Sequence, residues 1–245
     1  MNKNAMQLPK ILALGKYLPD DLEVTVSASN RKIDARIEGR LEKIWEKKIQ
    51  EAEIKGKTCY NGVSYRLNSI KKRNSKLLLD LGTIEFKARD GLIDIPEYFL
   101  LPEEFYRKGC FSTGTVKTSD GKYIMVELSG KSMNKNTVDL VGGIIETDNI
   151  FESFYAELLE EASIEKTSIE KSYLRAIFLG VNTNVGFYFD VILDRTWAEV
   201  LDDFKAKNND SDIKSLLSFS REEYLDVLKN HKSKNKQIVI GFLNI

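Results

Sequence analysis

The sequence predicts an α/β or α+β sandwich. Three observations carry that expectation: a charged run with helical apolar spacing near the amino terminus, a series of short apolar strands divided by turn signals, and strands that alternate with helices through the second half. A chain of 245 residues is long for one ordinary domain and short for two large ones, so one core with an accessory region is expected. A change of composition near Gly109 marks the boundary, giving an accessory α+β region over 1–109 and a core domain over 110–245.

Extended segments are expected at Ile11 to Leu18 and Leu22 to Ala28. From about Asp34 to Lys55, Ile37, Leu41, Ile44, Trp45, Ile49 and Ala52 recur at helical spacing, predicting an amphipathic helix that ends near Gly56. Strands follow at Ser64 to Ile70 and Lys76 to Lys87 around the polar turn Lys71 to Ser75, and Leu92 to Lys108, with two prolines, predicts short helices or a connecting loop. Phe111 to Thr118 and Lys122 to Leu128 flank Ser119-Asp120-Gly121, a hairpin signal. Val138 to Ile145 predicts a strand, Asn149 to Ala162 a helix, and Tyr173 to Val181 and Phe187 to Leu193 two further strands. A helix at Trp197 to Lys205, a strand at Ile213 to Phe219, a helix at Arg221 to Asn230 and a last strand at Gln237 to Leu243 complete the pattern.

Thirty-seven basic residues balance 37 acidic ones, which removes the electrostatic case for nucleic acid or an anionic membrane as a general partner. No apolar stretch approaches the roughly 20 residues that cross a bilayer, and Ile11 to Leu14 is too short for a signal-peptide core, so a cytoplasmic address is expected. Cys59 and Cys110 lack the spacing of a zinc site, and the single histidine, His231, lies in a lysine-rich stretch that predicts solvated surface. Carboxylates are the better-supplied catalytic groups.

Residues Asp139 to Glu170 hold nine acidic side chains against one basic, Lys166. Within the predicted helix Glu157, Glu160 and Glu161 share a face at i, i+3 and i+4, while Phe151, Tyr155, Leu158, Leu159 and Ala162 fall on the other side. Close carboxylates raise one another's pKa, and a hard cation such as Mg²⁺ or Mn²⁺ relieves that repulsion with oxygen ligands. Taken alone, three helical glutamates fit a solvated acidic face better than a metal site.

The surrounding run from Gly142-Gly143 through Asp148 to Glu157-Leu158-Leu159-Glu160-Glu161-Ala162-Ser163-Ile164 resembles the Nudix box. That motif is a glycine, five residues, a glutamate, seven residues, then Arg-Glu-aliphatic-any-Glu-Glu-any-Gly-aliphatic. Gly142 then stands at the opening glycine and Asp148 at the first glutamate; taking Gly143 instead leaves the loop one residue short. Ala156 stands where the box has arginine and Ser163 where it has its second glycine, and the serine predicts a differently shaped helix end.

The resemblance implies a Nudix-like α/β/α sandwich with a mixed sheet. It also implies a Mg²⁺- or Mn²⁺-dependent cleavage of a diphosphate linkage in a small nucleotide-type substrate, of the nucleotide-sugar or ADP-ribose kind. Glu157 and Glu161 become metal ligands, Glu160 a third ligand or the base that takes a water proton, and the backbone carbonyl of Gly142 or Gly143 completes the shell. Glu160 and Glu161 carry the catalytic assignment, with Glu146 and Asp148 in support. Arg66, Lys87 and Arg89 are candidate phosphate contacts and Phe187 and Tyr188 candidate base stackers, although surface charge or core packing is the commoner fate of such residues. The accessory region is expected to cover the pocket or form a homodimer contact. A Nudix-like protein that binds nucleotides without turnover is the second reading, and a structural interaction module with a solvated acidic helix the third.

Overall fold

The computed structural model describes residues 9–54, 60–129, 137–207, 212–231 and 239–241. Among the described residues ten strands form two sheets. The larger contains β1 (Lys10–Tyr17), β5 (Cys110–Lys117), β6 (Tyr123–Leu128), β7 (Val138–Asp139), β8 (Ile169–Leu179), β9 (Val185–Leu193) and β10 (Ile213–Phe219). Its order is β1-β8-β9-β5-β6-β10, with β7 on β6. The β5–β9 pair is parallel and the other pairs are antiparallel, which makes the sheet mixed. The smaller sheet places β4 (Lys76–Glu85) between β2 (Leu22–Val26) and β3 (Val63–Arg73).

Side-chain alternation along β9 shows how the large sheet is covered. Phe187, Phe189 and Val191 join one core with Phe154 and Leu158 of helix α3 (Ile150–Ala162). Tyr188, between them, joins a second core with Tyr224 and Leu228 of helix α5 (Arg221–Asn230). Neighbouring residues of a strand point to opposite faces, so the two helices cover opposite sides of the sheet. The result is an α/β/α sandwich. The rings of Phe154 and Phe189 stack at 4.4 Å, and the hydroxyls of Tyr188 and Tyr224 both hydrogen-bond Thr115, so the polar atoms buried under α5 satisfy one another.

In the amino-terminal region, α1 (Ala35–Ile54) buries Ile37, Leu41 and Trp45, one stripe at helical spacing. Trp45 meets Phe86 edge-on at 6.2 Å, at the start of α2 (Phe86–Gly91). That short helix falls where the sequence predicts only the end of a strand. Leu92 to Lys108 forms three short 3-10 turns, and the turn between β3 and β4 tightens to Asn74 and Ser75, with Asn74 in the left-handed region at φ 55°. Strand β1 comes from the amino-terminal region yet pairs with β8, so the large sheet draws an edge strand from across the position predicted as a boundary.

Two further expectations differ from the coordinates. Val138 to Ile145 is regular only at β7, because the backbone breaks at Gly142, whose φ is +150°. The predicted last strand lies largely outside the described residues, and its described part, 239–241, is a helical turn. Helix α4 (Trp197–Lys207) follows its prediction, and no helix among the described residues is long and apolar enough to cross a membrane.

Candidate active site

The site is built where the broken strand runs beside β5. Ser112 N–H donates to the Gly143 carbonyl at 2.8 Å, Gly114 N–H to Val141 at 3.2 Å and Ile145 N–H to Cys110 at 3.3 Å. A side chain at Gly142 would put its Cβ 2.1 Å from the Ser112 carbonyl oxygen, and at φ +150° only glycine is unstrained. A Cβ on Gly143 would lie 2.2 Å from Oε1 of Glu157. The Glu157 carboxylate therefore sits flush against the Gly143 backbone, a fit that needs a residue with no side chain.

Helix α3 delivers that carboxylate. Asn149 caps its start by accepting from Glu152 N–H at 3.2 Å, and Leu158 and Ala162 are fully buried on its inner face. Leu159, expected on that face, is 52% exposed. At the other end Ser163 adopts a left-handed conformation at φ 56°, with Ser163 N–H donating to Leu159 and Ile164 N–H to Leu158, each at 3.0 Å. The helix thus ends in the turn a glycine would take, and the different shape predicted from the serine does not occur.

Glu157 and Glu161 are half-buried and Glu160 is exposed, and all three line one cleft of about 400 Å³. Glu161 Oε2 accepts from the Gly142 N–H at 2.9 Å, tying the helix to the glycine bend. Arg89, Ser112, Thr113, Asp139 and Asp212 complete the polar lining. The hydroxyls of Ser112 and Thr113 are buried and have no hydrogen-bond partner among the described residues. Such groups cost stability, a cost that a ligand offsets when it pairs with them.

The donor set suits a hard divalent cation in chemistry though not as a closed cage. Among the described residues no three His, Cys, Asp or Glu side chains are grouped to hold an ion by themselves. Mg²⁺ commonly takes one or two carboxylates and fills its remaining positions with water and substrate phosphate, so an open pair of glutamates lining one cleft fits that habit. Both glutamates also lie toward the carboxy-terminal end of α3, whose last turn holds no basic residue. The helix dipole disfavours negative charge there, and a bound cation reverses that cost.

The other predicted residues separate. Glu146 is exposed and lines a neighbouring cavity, where it borders Ile144, a residue common to both cavities. Asp148 lines a different recess, with Pro19, Asp20 and Phe151, and does not reach the cleft. Arg66 is a correction: it is 1% exposed, and its guanidinium bonds the carbonyls of Arg107 and Tyr106 and the side chains of Asn30 and Asn68. Burial pushes it down to about 10, and its role is to knit the accessory region together. Phe187 and Tyr188 are corrections too, since both are fully buried, one in each core, with no face left for a base. Lys87 bonds Glu42 and Glu85 instead of facing the cleft.

Two other expectations resolve into structure. Glu223 forms a capping box with Ser220 at the start of α5, and His231, predicted on solvated surface, is half-buried with Nε2 3.1 Å from the Val138 carbonyl. Burial pushes the Cys110 thiol up to about 12, which keeps it from acting as a nucleophile. Sequence reasoning missed Ser112, Thr113, Asp139 and Asp212. Asp139 carries a usable signal, an acid placed just before the paired glycines; nothing in the sequence marks Asp212.

The coordinates define an α/β/α sandwich with a carboxylate-lined cleft at a glycine bend. A scan against protein families finds no match, and no curated protein matches either. Among solved structures, the chain superposes on a protein from Deinococcus radiodurans with a TM-score of 0.43 and 17% identity, over 55% of this chain and 82% of that one. It also superposes on a Nudix hydrolase from Nitrosomonas europaea (TM-score 0.41, 16% identity, 56% of this chain and 89% of that one). A third is a bifunctional NMN adenylyltransferase/ADP ribose pyrophosphatase from Francisella tularensis, complexed with AMP and a manganese ion (0.42, 16%, 60% and 44%). Similarity at this level transfers neither activity nor ligand to this chain.

Proposed function

We propose that this chain is a Nudix-type hydrolase that cleaves the diphosphate linkage of a nucleoside diphosphate derivative with Mg²⁺ or Mn²⁺. One observation carries the reading: Glu157 lies against Gly143 and Glu161 against Gly142 N–H, in a single cleft that Glu160 also lines. Glu157 and Glu161 would hold the cation, and exposed Glu160 would take a proton from water. A bound divalent cation neutralises diphosphate charge and lowers the pKa of a water.

A second reading, a nucleotide-binding protein with little or no turnover, is favoured by Ala156, which stands where the resembled motif has an arginine. One panel separates the two. Purified protein is incubated with ADP-ribose, nucleotide sugars, dinucleoside polyphosphates and nucleoside triphosphates, with and without Mn²⁺ or Mg²⁺, and monophosphate release is followed. Metal-dependent release supports the hydrolase. Ligand-induced thermal stabilisation without release supports the binding protein, and neither effect removes both.

A further inference from the structure

Beside the carboxylate cleft lies a second cavity of about 500 Å³, lined by Tyr60, Gly62, Val63, Ser64, Phe86, Ile144 and Glu146. All but the last two come from the accessory region. The cavities are contiguous: Ile144 borders both, and Arg89, which lines the first, donates to Ser64 Oγ of the second at 3.4 Å.

From these features we infer that the accessory region binds the nucleoside half of the substrate, with the planar base beside Tyr60 and Phe86 and the adjoining phosphate on Arg89. Tyr60 is 77% exposed and Val63 68%, large side chains kept in water at the rim of a concave surface. The two residues between them are held in place. Asn61 accepts from Lys87 N–H at 2.9 Å and donates to Glu85 at 3.0 Å, Phe86 N–H donates to the Gly62 carbonyl at 2.7 Å, and the Tyr60 ring lies over Gly62. A preset aromatic wall loses little entropy on binding a flat ring. Glu146 adds a hydrogen-bond acceptor for ring N–H or amino groups.

Arg89 supplies the charge. It is 7% exposed, its two hydrogen bonds both use Nη1, to Cys110 carbonyl at 3.0 Å and to Ser64, and it forms no ion pair among the described residues. Arg66, also buried, spends three nitrogens on four oxygens. A buried guanidinium lining an open cleft without a carboxylate partner is a site for a phosphate.

The inference deepens the hydrolase reading, and its test is made without metal or turnover. Binding of AMP, GMP, CMP, UMP and ribose 5-phosphate to the full chain is measured calorimetrically in chelator. The expected result is that at least one nucleotide binds about ten-fold or more tightly than ribose 5-phosphate. Tyr60→Ala, at an exposed position that leaves the core untouched, abolishes that advantage and leaves ribose 5-phosphate binding unchanged. Arg89→Gln weakens both ligands while circular dichroism reports a folded chain. Equal binding of nucleotide and sugar phosphate, no binding of either, or an undiminished advantage in Tyr60→Ala overturns the inference. Base-dependent binding without hydrolysis leaves it standing and removes only the hydrolase; metal-dependent hydrolysis without base preference does the reverse.

Discussion

The two ends of helix α3 carry glutamates under opposite conditions. Glu152 sits in the first turn, where the helix dipole is positive, and Lys166 pairs with it in solvent. Glu157, Glu160 and Glu161 sit toward the last turn, where the dipole is negative, beside one another and along a cleft. The first arrangement is ordinary surface electrostatics. The second sets like charges against the helix dipole, and a sequence accepts that cost where a cation or substrate later relieves it. Placement relative to the dipole and the cleft, more than the number of glutamates, separates a site from a surface.

The largest effect should come from breaking the second arrangement. Glu157→Gln is expected to lower the metal-dependent rate by about 100-fold or more, with the thermal midpoint little changed, because the amide keeps the size and shape of the carboxylate. Initial rates of monophosphate release and a melting curve measure the two sides. An active Glu157→Gln protein sinks the assignment. Next comes the glycine bend: Gly142→Ala drives a methyl into the Ser112 carbonyl at a φ of +150° and should cost on the order of 3 kcal/mol in urea unfolding. Gly143→Ala meets only the end of a flexible glutamate, so it should spare stability to within about 1 kcal/mol and instead displace Glu157. Its readout is a Mn²⁺ titration about ten-fold weaker than wild type. Equal stability losses at the two glycines would erase the distinction between a bend that holds the fold and one that seats a ligand.

Elements with strong local periodicity were legible in the sequence: α1 and α3 bury their apolar stripes, and the hairpin at Ser119 to Gly121 turns with Gly121 at φ 85°. That Glu157, Glu160 and Glu161 share one face was legible because i, i+3, i+4 spacing is a local property, whereas the cleft beside them was not. What failed depends on distant partners. Nothing in Lys10 to Tyr17 shows that its ladder partner is β8, some 160 residues away. Phe187 and Tyr188 looked available as aromatic residues, but both faces of β9 are covered by helices, so the alternation that usually exposes one residue in two exposes neither. Arg66 and Arg89 are alike in sequence; the four oxygens around one and the open cleft beside the other exist only in three dimensions.

A cation bound at the carboxy-terminal end of α3 would also have a thermodynamic signature. With Mn²⁺ or Mg²⁺ at 100 times its dissociation constant, the folded state should gain about 2.7 kcal/mol, and for a chain of this size the melting midpoint should rise by several degrees. Glu157→Gln should lose most of that rise. An identical shift in that variant would place the ion elsewhere on the molecule.

The smallest effect belongs to the other end of the helix. Glu152→Gln removes one solvent-exposed ion pair and one favourable charge at the helix start, each worth at most about 1 kcal/mol and screened by salt. The loss in stability should shrink as ionic strength rises, while hydrolysis and the metal-induced shift stay at wild-type values. Because Glu152 and Glu157 differ by five residues on one helix, the pair controls for charge, side-chain length and helix propensity at once. If Glu152→Gln disturbs metal binding as much as Glu157→Gln does, the two ends are not distinct, and the acidic helix acts through its summed field and not through a defined seat.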